Sequence, residues 1–208
     1  MDEKKQKVIA YIDGFNFYFG LKARGWRKYY WIDFVKFIEL QLKPYQELIE
    51  VNYFSAAPLD KDKADRQDLL FSANKLNPKF KLHLGKFLTK ERQCPYCHQI
   101  IHSFEEKETD VRIATKMITD VVQEKCDITL LLSADSDLIP PIEFIREHNP
   151  RHKVFVYFPP NRHSSNLKAL CDNSKVLNGA NLIFDKAIMP DTILSRDGYK
   201  IERPIKWR

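Results

Sequence analysis

The sequence is poor in the features that mark several special classes of protein. None of its apolar runs approaches the roughly 18 residues of a membrane span, and the start M-D-E-K-K-Q-K has no apolar core of a signal peptide, so a cytoplasmic protein without membrane attachment is expected. Four cysteines in 208 residues make no disulfide framework. Its glycines form no G-x-G-x-x-G after the first apolar run, which leaves a dinucleotide cofactor unsupported. There is no internal repeat and no low-complexity segment. What is present is a hydrophobic content of 44%, enough for one core with a small appendage. The formal net charge of +6 leans weakly toward polyanionic partners.

The chain is organised around D-I-T-L-L-L-S-A-D-S-D-L-I-P-P-I-E, residues 127 to 143. Ile128 to Leu132 reads as a central strand covered on both faces. It stops at Ser133, Asp135, Ser136 and Asp137, after which helical apolar spacing resumes through a first turn that accommodates Pro140 and Pro141. Carboxylates at the carboxyl end of such a strand stand where ligands bind in open α/β sheets. A helix cap would need one acid, whereas two ask for another reason.

Val8 to Ile12 repeats the pattern and ends in D-G-F-N, placing Asp13 in the position equivalent to Asp135. Gly14 suggests an unusual backbone angle or a close ligand approach, and Asn16 offers a donor and an acceptor beside the acid. Beyond a short helix, R-G-W-R-K-Y-Y at 24 to 30 is a basic, aromatic loop, either one that stacks single-stranded bases or plain surface with a buried aromatic. Asp33 caps a helix, Leu48 to Ser55 is a third strand, a polar helix runs to about Asn74, and Lys81 to Leu88 alternates like a half-buried strand.

From about 90 to 107 the pattern reads as an inserted β-hairpin carrying C-P-Y-C-H-Q-I-I-H. Cys94 and Cys97 have zinc-knuckle spacing, with His98 or His102 as further ligands, and a plain hairpin tip is the alternative. Thr109 to Lys125 is a strongly amphipathic helix with Asp110 in its first turn. Because it feeds the strand ending at Asp135, it is expected to be a crossover whose amino end brings Asp110 to the other acids. Lys153 to Phe158 is another strand, with Arg162 and His163 emerging at its carboxyl end as phosphate-binding candidates. A short final strand is expected at Asn181 to Phe184, with an extension after about residue 190.

Asp13, Asp110, Asp135 and Asp137 in one cleft would repel one another unless a hard cation, Mg2+ or Mn2+, neutralised them. At these residues the sequence resembles a family. D-G-F-N at 13 to 16, E-K-E-T-D-V-R-I-A at 106 to 114, S-A-D-S-D-L at 133 to 138 and R-P-I-K-W at 203 to 207 are similar to the NYN domain, a PIN-like nuclease branch, in its LabA-like subgroup. Ala134 departs from a glycine frequent there, which an ordinary backbone angle would tolerate. The resemblance implies a single PIN-like, Rossmann-like domain: a doubly wound, mostly parallel sheet with helices on both faces and the hairpin inserted. It also implies a metal-dependent ribonuclease acting on single-stranded or structured RNA. The four aspartates would be the metal and catalytic residues, with Asn16, Ser133, Ser136, Arg162, Arg27 and Lys28 meeting substrate. Zn2+ at the hairpin stays open, as does a homodimer. Other readings are a catalytically inactive RNA-binding module of the same fold and, with less support, a phosphatase using Asp13, for which Phe15 stands where a second Asp is wanted.

Overall fold

The apolar run Val8–Ile12 lies in β1 (Gln6–Asp13), the middle of a seven-stranded sheet. The computed structural model describes residues 5–179 and 181–208, and for 87–90, 92, 101–106 and 181 the backbone alone. β1 pairs in parallel with β2 (Gln46–Ala56) on one side and β5 (Ile128–Leu132) on the other. Val8, Ala10 and Ile12 enter one apolar layer, and Ile9 and Tyr11 enter the other. An unbroken apolar strand needs this cover on both faces.

The strand order is β4-β3-β2-β1-β5-β6-β7, with β3 at Phe80–Gln93, β4 at Ile100–Lys107, β6 at Lys153–Phe158 and β7 at Asn173–Val176. All neighbours are parallel except β3 and β4. Helices α1 (Gly14–Ala23), α2 (Phe34–Glu39) and α3 (Lys61–Lys75) supply Phe17, Phe34 and Phe71 to one layer. The opposite layer takes Met117, Ile142 and Leu167 from α4 (Thr109–Val122), α5 (Ile139–His148) and α6 (Ser165–Leu170). The chain therefore winds outward from β1 in one direction through β2 and β3, and from β5 in the other through β6 and β7. No described helix is long and apolar enough to cross a membrane.

One expectation changes. Asn181–Phe184 is not a strand: α7 runs Asn181–Ala187, and Phe184 sits 4.7 Å from Phe37 and 4.9 Å from Tyr29, ring centroid to centroid. Packing into that aromatic cluster overrides a short apolar run that has no strand to pair with. The missing edge strand is the polar β7, which pairs with β6. The expected hairpin is present and grows out of the sheet itself, because β3 is continuous: Phe80–Gly85 pairs with β2, and from Lys86 onward the same strand pairs with β4. The extension after 190 forms β8 (Thr192–Leu194) and β9 (Lys200–Glu202), tied down by Arg203, which donates to the carbonyls of Lys28 at 2.8 Å and Trp207 at 2.6 Å.

Two buried polar groups link layers to sheet. Asp120, fully buried on α4, accepts from Tyr11 Oη at 2.8 Å and from Lys125 Nζ at 3.1 Å, and also pairs with Lys116. A buried carboxylate persists only when partnered in this way. His152 is buried with Nε2 at 2.9 Å from Thr129 Oγ1, and burial pushes its pKa down to about 4.

His152 thus stays neutral in the folded protein at pH values where the unfolded chain, titrating near 6.5, already binds a proton. Stability present above pH 6.5 is lost as pH falls toward 4, and His83, also lowered by burial, acts in the same direction. Asp172, which Arg146 and Val154 hold down to about 2 against the upward push of burial, acts only below its unfolded value of 3.8. Melting curves from pH 7 to 4 are expected to shift down by several degrees, and His152→Gln to flatten that decline. A His152→Gln protein with the wild-type pH slope would acquit this residue.

Candidate metal centre

Asp13 ends β1 and caps α1, and both of its oxygens are held. Oδ1 accepts the Asn16 backbone N–H at 2.9 Å, and Oδ2 accepts the Ser133 hydroxyl at 2.9 Å. Ser133 Oγ in turn accepts the Asp135 N–H at 3.1 Å, while Asn16 Oδ1 accepts the Ala134 N–H at 3.3 Å. These bonds tie the β1 tip to the β5 tip. Gly14 has an ordinary helical conformation, and its use is close approach to β2 rather than to a ligand. A Cβ there would lie 2.5 Å from the Phe54 carbonyl oxygen and 2.7 Å from the Tyr53 ring. Burial, with the charge of Asp13 adding to it, pushes the Tyr53 hydroxyl pKa up.

Asp135 caps a single 3-10 turn, Ser136–Leu138, and its Oδ1 accepts the Asp137 N–H at 3.0 Å. Ala134 has no positive φ, so a side chain is tolerated where glycine was the family expectation. Asp110 arrives by another route. β4 runs antiparallel to β3 and returns the chain to the carboxyl edge, where Lys107 pairs with Lys86, next to the Gly85–Ala56 pair. Glu108 then adopts a left-handed φ of 77° and turns the chain into α4, its carboxylate accepting from Arg112 at 2.7 Å. Asp110 follows in the first turn.

The outcome is that Asp13, Asp110 and Asp135 each offer an oxygen within 4.8 Å of the other two. Asp13 is buried, and the others are half-buried. It is the single convergent group of three or more His, Cys, Asp or Glu ligands among the described residues. An all-carboxylate set with like charges this close fits a hard divalent cation such as Mg2+ or Mn2+.

The other expected site residues are placed as follows. Asp137 is exposed and lies outside the three-acid group. Ser136 Oγ is 3.3 Å from Ser164 Oγ, the cap of α6, which draws the β6 tip toward the acids. Arg162 is half-buried in the loop after β6. Ser133 is fully buried, so its hydroxyl serves the aspartates and does not reach substrate. In the 24 to 30 loop, Tyr29 and Tyr30 are buried and Lys28 is paired with Asp185 at 2.8 Å, so those aromatic faces are committed to the core while Arg27 remains exposed. At the hairpin tip the His98 N–H donates to the Cys94 carbonyl at 3.0 Å, and N–H groups of Cys97 and Tyr96 lower the Cys94 thiol pKa. Among the described residues, Cys94, Cys97 and His98 do not converge with a further ligand, and the side chain of His102 lies outside them. Sequence reading overlooked Phe15, Tyr18 and Phe19, which line a groove next to Asp13 with Trp207; their i,i+3 and i,i+4 spacing on α1 was the available signal.

The family model described as NYN domain matches residues 7–178. No curated protein matches the chain. A crystal structure of a protein of unknown function from Vibrio parahaemolyticus RIMD 2210633 is similar, with a TM-score of 0.59 and 20% identity over 86% of this chain and 97% of that one. At that identity the likeness is one of fold.

Ser133→Ala removes the hydroxyl that donates to Asp13 and accepts from Asp135. A stability loss of about 1–3 kcal/mol is expected from the unsatisfied partners, together with Mn2+ affinity lower by roughly 10–100-fold, as for supporting bonds behind metal ligands. Calorimetric Mn2+ titration of the variant checks this. Unchanged affinity in a destabilised protein would show that Ser133 supports the fold but not the site.

Proposed function

The chain belongs to the NYN domain family, and on that premise we propose that it is a ribonuclease hydrolysing phosphodiester bonds of single-stranded or structured RNA with Mg2+ or Mn2+. The observation that carries this reading is the convergence of Asp13, Asp110 and Asp135 at the carboxyl edge of a parallel sheet. A divalent ion held by Asp13, Asp110 and Asp135 would supply an acidified water and would neutralise charge developing on the phosphoryl oxygens.

The chain's own residues divide the remaining work. Asp13 is locked by two hydrogen bonds and is the rigid ligand, while Asp110 and Asp135 complete the set from two other elements. Asp137, exposed on the turn that Asp135 caps, acts at the rim through water. Asn16 has its side-chain oxygen committed to Ala134, which leaves its NH2 to donate to a phosphate oxygen. Ser136 and Arg162 meet the RNA backbone from the β5 and β6 tips. Arg27 and Lys28 are peripheral contacts. The RNA would be met in the cytoplasm, by one chain or by a homodimer.

Purified protein is expected to cleave labelled RNA with Mn2+ or Mg2+ and not with EDTA. Asp135→Asn should lower the rate by about a hundredfold or more and leave the ion-free protein as stable as wild type or slightly more so, because it removes repulsion and Asn caps a turn as well as Asp. Metal-dependent cleavage at wild-type rate by folded Asp135→Asn protein, co-eluting with it, would contradict the ligand role. Metal-independent RNA binding without turnover would favour the inactive binding module.

A further inference from the structure

Between α1 and α3 lies a groove of about 330 Å³, floored by Tyr53 and Ser55 of β2. Gly14 is part of its wall, so one end of the groove lies at the residue next to Asp13 and the three-acid group. Its other lining is unusual for the outside of a soluble helix. Tyr18 and Phe19 are 37% and 43% exposed, although an amphipathic helix would place polar residues there. Phe15 and Phe19 are stacked with their planes 23° apart and centroids at 6.5 Å, and Phe19 meets Tyr18 at 5.2 Å. Trp207, half-buried and braced edge-on against Tyr30 at 5.8 Å, adds a fourth ring from the C-terminal segment. Single exposed apolar residues need no explanation, but a contiguous aromatic wall does.

Cations border the same rings. Lys22 Nζ stands 5.7 Å from the Phe19 centroid, and Lys63 and Arg66 project from α3. Lys63 is ion-paired with Asp60 at 4.0 Å, whereas Arg66 is in no ion pair among the described residues. Flat π-faces bordered by positive charge are the chemistry of sequence-tolerant single-strand binding, since every base has a face to stack and every linkage a phosphate.

We propose that this groove receives unstacked bases of single-stranded RNA, with Phe19, Tyr18 and Trp207 taking base faces and Arg66 and Lys22 taking backbone phosphates. The strand then passes Gly14 and reaches the acidic cluster. The proposal rests on the ribonuclease reading for the identity of its ligand, and it makes the single strand the preferred form, because paired bases present no free faces.

The test is fluorescence anisotropy with labelled oligouridylate in EDTA, so that neither an ion nor turnover is needed. Phe19→Ala is expected to weaken binding about tenfold, the loss typical of one stacking platform, while Phe19→Tyr keeps wild-type affinity and a duplex RNA is insensitive to either change. Arg66→Ala should lower the salt dependence of log K by about 0.7, one phosphate contact. Both side chains are at the surface of their helices, and melting curves confirm folding; should Phe19→Ala not fold, Arg66→Ala carries the test. Wild-type affinity and salt slope in both variants would overturn the proposal, as would absence of oligouridylate binding by the wild type. The two readings separate cleanly. Loss of binding in the variants without any cleavage by the wild type supports the groove and sinks the ribonuclease, whereas cleavage with unaltered variant binding sinks the groove alone.

Discussion

The structure depends on β1 being paired in parallel on both sides, with β2 and with β5. The helix after β1 covers one face of the sheet and the helix after β5 covers the other, so the two tips are left with a crevice between them. That is the switch point at which open α/β sheets bind ligands. It also makes Asp13 and Ser133 neighbours although 120 residues separate them, and the 2.9 Å bond between them follows directly. Neither acid-bearing tip would be a site without the other.

Gathering three carboxylates has an energetic cost that the surrounding fold must sustain. The tips meet it with hydrogen bonds at the carboxylates themselves: Asn16 and Ser133 on Asp13, and Asp137 on Asp135. Asp110 is held at longer range. Its helix is anchored to the sheet two to three turns further on, where buried Asp120 takes the hydroxyl of Tyr11 from β1. The same strand that ends in Asp13 therefore fixes the helix that begins with Asp110. The left-handed Glu108, steadied by Arg112, supplies the turn that lets a strand returning from the hairpin become that helix.

Much of this was legible in the chain because the relevant signals are local. Apolar runs ending in acid at Ile12–Asp13 and shortly after Leu132 announced both the central strands and their tips, and Asp33 is the cap that its side chain suggested. The amphipathic crossover beginning near Asp110 was enough to bring it to the same edge. What escaped depended on distant partners. Nothing within Asn181–Phe184 records that Phe184 will face Phe37 and Tyr29, and without that cluster a short apolar run reads as strand. The polar β7 is a strand only because β6 pairs with it. Ser133 looked like a substrate contact because its burial is set by the β1 neighbour. The 24 to 30 loop left stacking and burial both open, because its rings find their cover in distant segments, α7 and the C-terminal strap. The exposed aromatic wall lies instead on α1, at Phe15, Tyr18 and Phe19.

The central claim is that Asp13, Asp110 and Asp135 form one divalent-cation site. Crystals grown with Mn2+ and measured at a wavelength where manganese scatters anomalously test it most directly. The account predicts an anomalous peak among the three carboxylates, at bonding distance from an oxygen of each or joined to it by one ordered water, and no such peak in Asp13→Asn crystals. Manganese-soaked wild-type crystals with no peak at the cluster, in a structure that otherwise keeps the three side chains in place, would contradict it.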